Sequence, residues 1–139
     1  MNIKEIQEEI IDEFSLFDDW MQRYEYLIDL GKNLPLIHNE FKTDDNIIKG
    51  CQSKVWLKGE QKENKIFFTA DSDAILTKGI IALLIRVFSN QTSSDILNAE
   101  MDFIDKIGLK EHLSPTRANG LVSMIKNIKM YALAFDAKK

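Results

Sequence analysis

A chain with a single cysteine can do thiol chemistry at one position only, and here that position is Cys51, inside Gly50-Cys51-Gln52-Ser53. The tetrapeptide directly precedes a β-type run, Lys54-Val55-Trp56-Leu57-Lys58. A polar turn over Gly59 to Asn64 separates this run from a partner, Lys65-Ile66-Phe67-Phe68-Thr69. The thiol is therefore expected on a strand-entry loop, where a scaffold can present a reactive group and Gly50 frees the backbone for close approach. As a thiolate it would be a nucleophile; the plain alternative is a small buried hydrophobe, the usual state of a free cysteine.

One cysteine cannot close an internal disulfide, and with only His38 and His112 beside it a Cys/His metal cage within one chain is not expected. A cluster scaffold would have to be assembled between chains. A Cys-His hydrolase would use Cys51 as nucleophile and His38 or His112 as base. Neither flank of Cys51 carries a protease-type signature, however, and no further orienting group stands out. His112 reads better as a helix-terminus or loop residue.

Further positions bear on such a site. Arg117 falls in the first turn of the last helix, where a positive charge opposes the helix dipole at a cost of ~0.3 kcal/mol or more, so a role or a simple surface position are both open. Asp73 reads as a helix-capping residue, with Lys78 on the exposed side of that helix. Gly79, in mid-helix, costs about 1 kcal/mol relative to alanine and implies close packing, expected under the cysteine loop. Trp56 is either core or partner-facing.

The elements that must position these residues follow from hydrophobic spacing. Ile3, Ile6, Ile10, Phe14 and Phe17 line one helix face. Ser15 with Asp18 resembles a capping box, so a second helix is expected from near Leu16, turning Leu16, Trp20, Tyr24 and Leu27 inward and ending at Gly31 before Pro35. After the hairpin, with a third strand expected near Asn46 to Lys49, the cluster Asp71-Ser72-Asp73 is expected to cap a buried helix. Ile75, Leu76, Ile80, Leu83, Leu84 and Val87 mark its face. Thr92 with Asp95 opens a short helix, Gly108 breaks the next, and Ser114-Pro115 starts a long one carrying Leu121, Ile125, Ile128, Ala132 and Phe135 inward.

At 139 residues, 45% of them hydrophobic, the chain is expected to form a single domain over residues 1–139, α+β in class, with helices packed on a small antiparallel sheet. The net charge of -4 disfavours nucleic acid and anionic lipid as partners. The longest apolar run, Ile80 to Ile85, is far short of the ~20 residues that span a bilayer, and the start lacks a secretory signal, so a cytoplasmic protein with no membrane association is expected.

Four motifs, in order along nearly the whole chain, resemble one family. Ile48-Lys49-Gly50-Cys51-Gln52-Ser53-Lys54-Val55-Trp56-Leu57 is similar to the cysteine segment of the SufE family. Trp20 to Pro35, with Arg23-Tyr24, Leu27-Ile28, Leu30-Gly31 and Leu34-Pro35, resembles its first helix and turn. So do Asp71-Ser72-Asp73-Ala74 with Lys78-Gly79, and His112-Leu113-Ser114-Pro115-Thr116-Arg117 with Gly120.

The resemblance implies a SufE/IscU-like fold and a sulfur acceptor that serves a PLP-dependent cysteine desulfurase of SufS or CsdA type. Such a protein takes persulfide sulfur onto Cys51, stimulates the enzyme and passes the sulfur to an iron-sulfur cluster scaffold complex. PLP would belong to the partner, and no cofactor or metal of the chain's own is implied. Gly50, Gln52, Ser53, Asp73 and Arg117 would support partner binding or transfer. A lone thiol suits a carrier, since a second one would divert a persulfide into a disulfide. A module that activates a desulfurase allosterically, with Cys51 structural, is the alternative, and a homodimer is left open.

Overall fold

The structure, a computed structural model, describes residues 1–138. Helix α1 (Ile3–Ser15) opens with a full capping box: the Asn2 side chain accepts from the Glu5 N–H at 2.8 Å, and the Glu5 carboxylate accepts from the Asn2 N–H at 3.1 Å. It buries Ile3, Ile10 and Phe14. Helix α2 (Trp20–Lys32) begins at Trp20 rather than near Leu16, because Asp19 is its cap, accepting from the Gln22 N–H at 2.9 Å. The Ser15 hydroxyl instead donates to the Asp12 carbonyl within α1, and Leu16, expected inward, is 78% exposed. A carboxylate both caps the helix and complements its positive end, so Asp19 prevails over the serine.

Gly31 does not end α2 in the left-handed conformation; it is helical and buried, and Asn33 takes the C-terminal position. The reason is tertiary. A Cβ at Gly31 would stand 3.0 Å from the backbone nitrogen of Gly79, so the glycine lets α2 lie directly on helix α3 (Ile75–Phe88). Gly79 belongs to the same crossing: a Cβ there would come within 2.1 Å of the Leu27 carbonyl oxygen. Its close packing is thus against α2, not under the cysteine loop.

Strands β1 (Val55–Lys62) and β2 (Lys65–Ser72) pair antiparallel, from Val55 opposite Ser72 to Lys62 opposite Lys65. The expected turn from Gly59 tightens to Glu63 and Asn64, both at positive φ (51° and 71°), the two-residue geometry that suits strand twist. Val55, Leu57 and Gly59 are buried, as are Ile66, Phe68 and Ala70 on the partner. The third strand, β3, is Gln91–Thr92, which pairs with Lys65 and Ile66 to give the order β1-β2-β3. Asn46 to Lys49 supplies only one bridge, Ile47 with Trp56, because the 3₁₀ turn Asp44–Asn46 and the turn at Lys49-Gly50 leave little chain to extend.

Helix α3 is the centre of the core, with Ile80 to Ile85, Val87 and Phe88 buried; Ile75, expected inward, is 69% exposed. Asp71 and Ser72 are spent in β2 and Asp73 bonds elsewhere, so α3 starts after Ala74 without a side-chain cap. Thr92 caps helix α4 (Ser93–Asn98), accepting from the Asp95 N–H at 3.1 Å. Helix α5 (Asp102–Lys106) ends before Gly108 at φ 70°, and α6 (Leu109–His112) follows. Ser114 accepts from the Arg117 N–H at 3.3 Å and Pro115 opens helix α7 (Pro115–Ala137), which buries Gly120, Leu121, Met124, Ile128 and Ala132. The result is the expected α+β architecture: a small antiparallel sheet packed against helices, with one continuous core joining all of them.

Candidate functional site

The cysteine loop hangs between two clamped feet. On one side the Ile48 N–H donates to the Val55 carbonyl at 2.8 Å. On the other, the Lys54 N–H donates to Asp73 Oδ1 at 3.1 Å while the Asp73 N–H returns a bond to the Lys54 carbonyl at 3.2 Å. Between them Gly50 adopts φ 95°, open to glycine but strained for any other residue, and a Cβ there would meet Ser123 Oγ at 2.5 Å. The loop therefore lies flat on α7 and folds Cys51 inward.

Cys51 is half-buried, and its thiol faces the backbone of α7, with Sγ donating weakly to the Gly120 carbonyl at 3.6 Å. Glycine at 120 leaves room for this approach. Around the thiol is a cavity of about 50 Å³, walled by Cys51, Gln52, Ser53, Thr77, Arg117 and Gly120, with Ile80 and Met124 among its apolar lining. Burial pushes the Cys51 thiol above its ordinary pKa. Desolvation is the cause of the shift and no charge interaction opposes it, so the resting group is a protonated thiol.

Of the residues expected at the site, Cys51, Gln52, Ser53 and Arg117 meet around this cavity, and Gly50 stands immediately behind it. Arg117 comes from the first turn of α7, is exposed, and makes no ion pair among the described residues. Asp73 is not part of the wall; it holds the foot of the loop through Lys54 and caps no helix. Neither histidine lines the cavity. His112 stacks on Trp20 at 4.0 Å between ring centroids, its Nδ1 3.0 Å from the Gly108 carbonyl, and His38 lies edge-on to Phe41. Trp56 is half-buried with Lys42 over its ring at 5.5 Å. Lys78 pairs with Asp71 at 3.3 Å instead of standing free.

Several lining residues were not singled out from the sequence, Thr77 and Gly120 among them. Thr77 lines the cavity from α3; the available signal was a polar residue one turn before Ile80 on the face of a buried helix. Gly120, read only as part of a motif, forms the floor, and its signal was a glycine in the first turns of a helix, one turn after Arg117.

Comparison with known proteins bears on this constellation. The family model described as SufE, Fe-S metabolism associated domain, matches residues 8–132. An uncharacterized SufE-like protein of Rhizobium meliloti is 42% identical over 130 residues, covering 90% of this chain and 93% of that protein. A second, from Rhizobium etli, is 40% identical over 127 residues, covering 88% and 86%. SufE-like protein 1, chloroplastic/mitochondrial, of Arabidopsis thaliana is 38% identical over 132 residues, which span 94% of this chain and 36% of the longer plant protein. Among solved structures, the solution structure of a hypothetical protein from Thermus thermophilus has the same fold, with a TM-score of 0.77 at 15% identity over 93% of this chain and 94% of the other. The chain belongs to the SufE family of iron-sulfur metabolism proteins.

Proposed function

We propose that the protein accepts persulfide sulfur from a PLP-dependent cysteine desulfurase onto Cys51, stimulates that enzyme by relieving it of sulfur, and hands the sulfur on to an iron-sulfur cluster scaffold complex. The observation that carries the reading is the cavity at Cys51. At about 50 Å³ it has space for a single added sulfur atom beside the thiol. With no histidine in its wall, the cavity also lacks the base that a Cys-His hydrolase needs.

The transfer balances without an oxidant or reductant. The Cys51 thiolate attacks the terminal sulfur of the donor persulfide; a new S–S bond forms at Cys51, the donor's S–S bond breaks, and the donor cysteine leaves as thiolate with the electron pair. Passing the sulfur on repeats the exchange at the next acceptor. Because the resting thiol is sheltered and its deprotonation suppressed, docking must move the loop and raise the thiolate fraction. Gly50 supplies the backbone freedom for that movement, and Gln52, Ser53 and the unpaired Arg117 stand at the mouth to meet the partner and the incoming negative charge. Asp73 supports transfer indirectly, by holding the foot of the loop.

The test is an intact-mass spectrum after incubation with a cysteine desulfurase and L-cysteine, beside Cys51→Ser. A reductant-sensitive gain of about 32 Da confined to the wild type is the expected result. Full stimulation of the desulfurase by Cys51→Ser, with no mass gain in the wild type, would instead identify an allosteric module in which Cys51 is structural.

A further inference from the structure

The cavity wall contains two threonines that the transfer reaction as described does not use, Thr116, which is exposed, and Thr77, which is buried. Thr77 is only 6% exposed, in the first turn of α3, and its hydroxyl has no hydrogen-bond partner among the described residues. No side-chain nitrogen or oxygen among them is both sealed off and unpartnered, so this hydroxyl keeps access to open space, and the space beside it is the Cys51 cavity. The hydroxyl is thus a donor with no protein partner among the described residues, turned to the space in which a sulfur added to Cys51 would lie. Its presence is accounted for if something that accepts a hydrogen bond occupies the cavity for part of the protein's working cycle.

We propose that Thr77 binds the terminal sulfur of the Cys51 persulfide, donating a hydrogen bond that holds the loaded sulfur in the cavity as its anion. This rests on the sulfur-acceptor reading and assigns a residue within it. The dimensions agree: an S–S bond of about 2.05 Å carries the added sulfur no further than the cavity that Cys51 and Thr77 both line. So does the exchange of partners. In the resting protein the thiol donates to the Gly120 carbonyl and has no need of Thr77. Once sulfurated, Sγ has no proton to donate, the negative charge moves to the terminal sulfur, and that atom needs donors rather than carbonyls. Thr77 is the donor on the inner side, opposite the exposed Arg117. A terminal sulfur held as a hydrogen-bonded anion is a poorer electrophile, so stray thiols take it less readily until the loop opens.

The experiment loads the full chain with inorganic polysulfide, which separates this inference from any failure of a desulfurase to act as donor. The Cys51 thiolate attacks a sulfane sulfur, one S–S bond forms as one in the polysulfide breaks, and the shortened polysulfide departs with the electron pair. Wild type, Thr77→Val and Thr77→Ser are then compared in the pH dependence of alkylation of the loaded sulfur and in its rate of release to added thiol. In Thr77→Val the midpoint should rise by about 0.5–1 pH unit and release should quicken about three- to tenfold, while Thr77→Ser stays close to wild type. Alkylation of the unloaded Cys51 should be the same in all three, since the resting thiol bonds to Gly120. Coincident curves for wild type and Thr77→Val overturn the proposal, and so does a Thr77→Ser defect as large as that of Thr77→Val, which would assign the effect to shape. Absence of desulfurase-dependent sulfur on wild-type Cys51, with polysulfide loading intact, would count against the acceptor reading alone.

Discussion

Gly120 lies directly beneath Cys51: a Cβ at position 120 would stand 3.3 Å from the cysteine sulfur, and the Gly120 carbonyl accepts the thiol proton at 3.6 Å. Replacing Gly120 by alanine therefore presses on the thiol from below. The thiol sits on a loop and can give way, whereas the helix gains up to about 1 kcal/mol of propensity. Gly120→Ala should leave thermal stability equal or slightly higher and speed iodoacetamide alkylation of Cys51 about threefold or more as the thiol is pushed outward. Alkylation kinetics and a melting curve on the same sample check both.

The shelter of Cys51 also sets a pH dependence. Burial raises its pKa in the fold, so between the unfolded and folded values the native state keeps a proton that the unfolded chain has lost. The neutral thiol's contribution to stability is present below the ordinary thiol pKa of about 8.5 and is lost as pH rises through the folded value. Alkylation of the free protein should accordingly have its midpoint above that of the urea-unfolded chain. Adding the desulfurase should bring it down; equal rates with and without partner would show that docking does not open the loop.

Arg117→Ala removes a cation that makes no ion pair among the described residues, so melting temperature should be unchanged within experimental scatter. Sulfur transfer should fall by about tenfold if the guanidinium meets the incoming charge, consistent with loss of a charge-assisted hydrogen bond. The rate of mass gain at Cys51 measures it.

Gly79→Ala is the severe substitution. The new methyl would fall 2.1 Å from the Leu27 carbonyl oxygen, which is helix backbone and cannot move aside, so α2 must lift from α3. A loss of roughly 1–3 kcal/mol or more is expected despite alanine's better helix propensity, read from urea unfolding.

Asp71 ties the segment before the cysteine loop to α3, pairing with Lys42 and with Lys78. Burial tends to raise its pKa, but Lys42, the Ser72 N–H and Lys78 together outweigh this and hold the carboxyl below the usual range. Its contribution is thus present above the ordinary value of about 3.9 and lost as pH falls through the lower folded value. Asp71→Asn should cost about 1 kcal/mol at neutral pH, and the difference from wild type should shrink in acid.

Much of the fold was legible because the signals are local. The alternation in Val55-Trp56-Leu57, the Ser114-Pro115 start of α7 and the Thr92 cap each depend on residues within one turn or one strand, and each stands where its pattern put it. The misplacements have the opposite character. Gly31 and Asp73 have local readings, a helix end and a helix cap, that distant partners override, the first through Gly79 and the second through Lys54. Leu16 is exposed because Asp19 out-competes Ser15 as the cap, and the third strand lies at Gln91 because sheet pairing is a long-range choice.

By itself the sequence determined that any thiol chemistry belongs to Cys51, that Gly50 and a strand flank it, and, through four ordered motifs, the family. A single reactive atom and short-range pattern are properties of the chain. What surrounds that atom was decided only in three dimensions. Thr77 of α3, Arg117 and Gly120 of α7 and the cysteine loop converge from separate parts of the chain. Their convergence depends on how closely α3, α7 and the loop pack, and close packing is set by the whole core at once.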